Sequence, residues 1–195
     1  MSIDNRKLVD EYKRIKKNHL EAERHFFARI NLPSSVIRVF NEGTKRYIHD
    51  VLLELDIKSL GHIRNQSEFK SYFEEQLELL SHIIYKTNKN NNRIMPGYKW
   101  GHSTKILCLY LRDFVIHSRQ FNESTSNCLS YLLYTPIDNI IMKKLRQVGY
   151  KVPFKSIKEI DTPSKFYDVQ EALYEASSIV RVPRVWFDDN WGQRG

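Results

Sequence analysis

The chain has 195 residues, 41% of them hydrophobic, with only seven glycines and six prolines and a formal net charge of +8. That length is enough for one domain or two small lobes with a real core. The positive excess points to a polyanionic partner, with nucleic acid ahead of a membrane surface. No run approaches the ~18–20 apolar residues of a membrane span, and the N-terminal residues have no apolar secretory core.

Residues 4–30 predict one long amphipathic helix, with Leu8, Tyr12, Ile15, Leu20, Phe26, Phe27 and Ile30 at roughly helical spacing. Its basic run Lys13-Arg14-Lys16-Lys17 reads as a solvated face. Pro33, Ser34 and Ser35 end that element. Residues 36–40 and 47–55 continue in helical rhythm, broken near Gly43. Ser67 is expected to cap a strong helix through Phe69, Tyr72, Phe73, Leu77, Leu80, Ile83 and Ile84. The polar run over residues 87–93 predicts a loop and the boundary between two lobes.

Residues 102–118 predict the most apolar helix, and 119–130 read as a polar loop. A short helix is expected over 139–148, ending at Gly149, and a last one over 164–180. Residues 182–192 read as an aromatic, irregular tail. Few β-branched alternations and little glycine make the expected fold all-α.

The two cysteines, Cys108 in the apolar helix and Cys128 in the expected loop, form no CxxC, and no Cys/His set has metal spacing. They read as free thiols of a reducing, cytoplasmic setting, with neither metal nor cofactor.

Two segments carry chemistry. In the first, Gly97-Tyr98-Lys99-Trp100-Gly101-His102-Ser103-Thr104-Lys105, Pro96-Gly97 predicts a turn, and Gly101 permits close backbone approach. A helix opening at His102–Thr104 would point unpaired N–H groups outward, which is a ready phosphate site. Lys105 would lie in its first turn. In the second, Thr135-Pro136-Ile137-Asp138, the proline blocks helix continuation, so Asp138 is placed to cap residues 139–148. A carboxylate held by backbone N–H groups is preoriented to stabilise positive charge. A desolvated lysine beside it is equipped for nucleophilic attack on a sugar carbon.

Residues 96–105 resemble the hairpin of helix-hairpin-helix DNA glycosylases, in which a glycine-rich turn precedes the catalytic lysine. Residues 136–149, Pro-Ile-Asp-Asn-Ile-Ile-Met-Lys-Lys-Leu-Arg-Gln-Val-Gly, resemble the family segment carrying the catalytic aspartate. The likeness spans about residues 94–152. The Tyr98-Lys99-Trp100 hairpin departs from the usual Gly-Val-Gly, and the long Lys105–Asp138 gap is similar to the archaeal 8-oxoguanine glycosylase branch.

The resemblance implies two helical lobes with a cleft for a flipped base, and a monomer acting on double-stranded DNA that contains a modified base. Lys105 would be nucleophile and Asp138 its activator, with AP-lyase activity accompanying base release. Gly97, Lys99, Gly101, His102, Ser103, Thr104, Arg112 and Lys143 would contact DNA. Trp100, Trp186 and Trp191 would wedge into the duplex or stack on the base. A looser resemblance extends to small bacterial glycosylases that defend against phages by removing sugar-bearing cytosines.

A rival pattern lies on the same expected helix. Arg112-Asp113-Phe114-Val115-Ile116-His117 is similar to the Arg-polar-x-x-x-His motif of HEPN ribonucleases, which implies RNA cleavage by acid–base chemistry at a dimer interface. A non-catalytic nucleic-acid-binding module is the third class. Asp188-Asp189 reads as a solvated turn or a cation contact, while Lys143, Lys144 and Arg146 read as phosphate contacts or solvated charge.

Overall fold

The computed structural model describes residues 5–30, 37–88 and 97–191. Every regular element among them is helical. In chain order these are α1 (Asn5–Ile30), α2 (Thr44–Glu54), α3 (Ile57–Leu60) and α4 (Gln66–Asn88). A π-helical turn (Tyr98–Ser103) then runs directly into α5 (Thr104–His117). After these come α6 (Glu123–Leu132), α7 (Asn139–Gln147), a 3-10 turn (Ile157–Glu159), α8 (Pro163–Val180) and α9 (Trp186–Trp191).

α4 and α5 are the central helices. α4 turns Phe69, Tyr72, Phe73, Leu77, Leu80 and Ile84 inward at helical spacing, and α5 buries Ile106, Leu107, Tyr110, Leu111 and Phe114. The buried side chains form one continuous core, from Phe27 on α1 to Phe187 on α9. Aromatic rings fill its middle. Phe73 stacks on Phe166 with centroids 5.7 Å apart, and Tyr134 meets both edge-on. Burial of each such ring stabilises by roughly 1.5–3 kcal/mol.

α1 matches its predicted extent, and among its described side chains those of the second half pack on the body. Phe27 is buried, and Arg24 donates to the Leu53 and Leu55 carbonyls at the end of α2. Tyr12, Ile15 and Phe26 are more than half exposed, against the expectation of one buried stripe. Leu8 and Ile30 lie outside the described side chains, and Pro33–Val36 outside the described residues.

Three local expectations are corrected. Asn65, not Ser67, caps α4: its Oδ1 accepts from Glu68 N at 2.9 Å, while the Glu68 carboxylate accepts from Arg64 N at 2.8 Å. The expected loop over 119–130 is largely α6, because Asn122 Oδ1 accepts from Thr125 N at 2.8 Å and starts a helix whose Leu129 is buried. Cys128 therefore lies on α6. The tail expected to be irregular forms α9, anchored by buried Phe187. Of the expected 87–93 loop, Thr87 and Asn88 form the end of α4, and 89–93 lie outside the described residues. No helix among the described residues is long and apolar enough to cross a membrane.

Candidate active site

The site begins with backbone geometry around Gly97. Its φ of 74° is left-handed, a conformation that costs glycine nothing. From there the chain enters a wide turn in which His102 N donates to Gly97 O at 2.9 Å, a five-residue step. Side chains satisfy the turn's carbonyls. Ser103 Oγ donates to Tyr98 O at 2.7 Å, Thr104 Oγ1 to Gly101 O at 2.9 Å, and the His102 ring Nδ1 lies 3.2 Å from Gly97 O.

This corrects the expected phosphate cradle. The amide N–H groups of Gly101, His102 and Thr104 are all paired within the turn, and Gly101, His102, Ser103 and Thr104 are buried. The two glycines instead admit another piece of backbone. A Cβ at Gly97 would lie 2.6 Å from Lys158 O, and one at Gly101 would overlap Ile157 O. The 157–159 turn thus packs on the π turn. Burial, with the Lys158 and Lys105 charges beside it, pushes the His102 imidazole below its usual range, so it is held neutral. Pro96 lies outside the described residues.

Asp138 is positioned from the other side. Residues 133–138 link α6 to α7 without regular secondary structure. Gln170 of α8 clamps this segment, accepting from Thr135 N at 3.0 Å and donating to Thr135 O at 2.7 Å. Arg184 donates to the Leu133 and Leu132 carbonyls at 2.9 and 3.0 Å, closing the end of α6. Burial lowers the Arg184 guanidinium to about 10. Asp138 then caps α7 as expected, its Oδ1 accepting from Ile140 N at 2.9 Å and Ile141 N at 3.0 Å.

The structure brings the two chemical residues together. Lys105 Nζ donates to Asp138 Oδ2 at 3.1 Å, across a sequence separation of 33. The Lys105 side chain is 15% exposed and that of Asp138 24%. Both carboxylate oxygens of Asp138 are therefore engaged, one by backbone and one by the amine. The amine still has two donor positions.

A second ionic group lies two turns along α5. Arg112 donates from Nε to Asp113 Oδ1 at 2.6 Å, and its Nη1 meets Asp188 and lies 3.3 Å from Asp189 Oδ1. The reading of Asp188 as a solvated turn is overturned, since its side chain is only 13% exposed. Burial raises its carboxyl to about 6, with Asp138 and Asp189 adding like charge, against the pull of Arg112 and Lys105. Acids outnumber cations here: Asp113, Asp138, Asp188 and Asp189 face Lys105 and Arg112.

The remaining expected site residues scatter. Lys99 pairs with Glu78 on α4. Trp100 lies half-buried against Phe166 and Tyr167, with centroids 6.0 and 5.9 Å away, so it is part of the aromatic core. Trp191 packs on Phe187 at 4.4 Å. Trp186 is 44% exposed and lines an open groove of roughly 860 Å³ with Ile116, Phe121, Ser126 and Ser130, one turn past Arg112. Lys143 is exposed on α7. Arg146 donates to the Val152 and Phe154 carbonyls and so braces a loop. His117 is exposed at the end of α5, about 140° around the helix from Arg112.

Gln170, Arg184 and Lys158 are contributors that sequence reasoning passed over, and Asp188 was singled out without its burial. The adjacent acids at 188–189 were a visible signal, but their burial was not. Among the described residues no cluster of three or more His, Cys, Asp or Glu could hold a metal. No family model matches this chain, and neither curated proteins nor solved structures include a significant match to it.

Proposed function

We propose that the chain is a DNA N-glycosylase that uses Lys105 as nucleophile and Asp138 as its partner. The observation that carries this reading is the 3.1 Å contact between Lys105 Nζ and Asp138 Oδ2, made in a part-buried setting by residues 33 apart in sequence. On this reading the 97–105 segment is the hairpin of a helix-hairpin-helix, and the cleft lies between two helical lobes. The partner is a duplex carrying a modified base, sugar-bearing cytosine of phage DNA among the substrates to test, and the enzyme acts as a cytoplasmic monomer.

The chemistry follows from the charges. As the bond from C1′ to the base breaks, its electron pair leaves with the base and positive charge develops on the sugar. A carboxylate already fixed by two backbone N–H groups needs no reorganisation to oppose that charge. The surplus of acids around Lys105 favours the same state. Lys105 gives its proton to the departing base, which keeps Asp138 ionised; the neutral amine then bonds to C1′, loses a proton to solvent, and ring opening gives a Schiff base. Arg112, held by three acids, is a positioning residue.

Base release from duplexes containing 8-oxoguanine, uracil, alkylated bases, hydroxymethylcytosine or glucosylated hydroxymethylcytosine tests the proposal. The expected result is release of one base by the wild type and none by Asp138→Asn, with borohydride trapping lost in Lys105→Ala. Undiminished trapping by Lys105→Ala sinks the assignment. Salt-sensitive binding with no release from any duplex makes the chain a binding module, and RNA cleavage dependent on His117 makes it a ribonuclease.

A further inference from the structure

The turn expected to hold phosphate is sealed, so the charge that meets a polyanion must lie elsewhere. Five exposed lysines, Lys143, Lys144, Lys151, Lys155 and Lys158, crowd a segment of sixteen residues. None of their ammonium groups has an acidic partner among the described residues. Elsewhere lysines do find acids, as Lys17 with Glu21, Lys99 with Glu78 and Lys165 with Asp161. The segment's own acid, Glu159, accepts from the backbone N–H of Lys155 at 3.3 Å.

The structure ties the end of this segment to the start of α7, next to Asp138. Asn139, next to Asp138, accepts from Ile157 N at 3.4 Å, which ties the start of α7 to the 157–159 turn. Lys143 lies one helical turn from Asn139 on the same face. Lys158 follows Ile157, and its charge reaches His102 together with that of Lys105. The Arg146 clamp on the Val152 and Phe154 carbonyls holds the loop that carries Lys151 and Lys155.

We propose that Lys143, Lys144, Lys151, Lys155 and Lys158 form the surface that grips the phosphate backbone of duplex DNA next to Lys105 and Asp138. This rests on the glycosylase reading for its choice of polymer. Lysines act as mobile point charges, so the surface gives affinity and orientation without base readout. Each phosphate neutralised releases counterions, which makes binding fall with salt.

The test is binding of a short unmodified duplex by the full chain across a salt series. It compares the wild type with Lys151→Gln/Lys155→Gln/Lys158→Gln and with a control of equal charge, Lys16→Gln/Lys45→Gln/Lys86→Gln, whose lysines are exposed on or near α1, α2 and α4. The first triple is expected to bind at least about 10-fold more weakly near 0.1 M salt and to flatten the salt slope by about 2–3. The control should change the slope by less than about 1. Equal losses in both triples, no loss in either, or tighter binding of single-stranded RNA through the same lysines would overturn the proposal. Base release by wild type with undiminished binding by the first triple removes the surface alone. Lysine-dependent binding without base release leaves the surface standing and removes the glycosylase.

Discussion

Lys105 and Arg112 lie seven residues apart on one face of α5, yet they meet acids in opposite ways. Arg112 meets three carboxylates through Nε and Nη1, two of them nearly buried, so its rotamer is locked. Lys105 meets one carboxylate and keeps two donors. The first arrangement is a clasp tying α9 to α5. The second holds an amine against one oxygen while leaving it able to react. Burial alone does not separate them, since the two side chains are 14% and 15% exposed. Partner count does.

The largest way to break this contrast is Arg112→Ala. It leaves Asp113 and Asp188 as uncompensated buried acids, and the expected loss is about 3–5 kcal/mol in denaturant unfolding. A loss under about 1 kcal/mol would mean the clasp is not structural. Asp138→Asn probes the other member. Asparagine still caps a helix, so stability should hold within about 1 kcal/mol while base release falls below detection, a drop of at least about 10²–10³-fold. Asp138→Ala should lose a further ~1 kcal/mol of stability through the cap. Unfolding and turnover measured on the same preparations separate the two roles.

Asp188 sharpens the comparison through pH. Its carboxyl is raised from 3.8 to about 6 in the fold, so the folded state holds this proton more tightly than the unfolded chain. Its contribution is therefore complete below about pH 4 and lost as pH rises through about 6. Asp188→Asn should gain on the wild type by about 2–3 kcal/mol between pH 4 and 7. A pH-independent difference would show that Arg112 fully offsets burial. Gly101→Ala probes the sealed turn, since its Cβ would overlap Ile157 O. A cost of about 1–3 kcal/mol in thermal unfolding is expected, and a neutral result would remove the close-packing role of this glycine.

Helix periodicity on α4, α5 and α8 was legible because their apolar residues recur at helical spacing and their partners are local. Asp138 as a cap was legible because the preceding proline and the two receiving amides lie within a few residues. α6 was hidden by its Ser, Thr and Asn content, which reads as loop until Asn122 captures Thr125 N. The packing of Trp100 was not legible because sequence shows its size but not the Phe166 and Tyr167 rings beside it.

Local patterning alone therefore determined an all-helical chain, the helix start at Asp138 and a lysine early in the apolar helix, since propensity and capping act over a few residues. Tertiary structure decided the rest. It brought Lys105 within 3.1 Å of Asp138, buried Asp188 against Arg112, and sealed the glycine turn under Ile157 and Lys158. Those outcomes depend on through-space contacts between segments tens of residues apart, where burial and charge are set by packing rather than by neighbours in sequence.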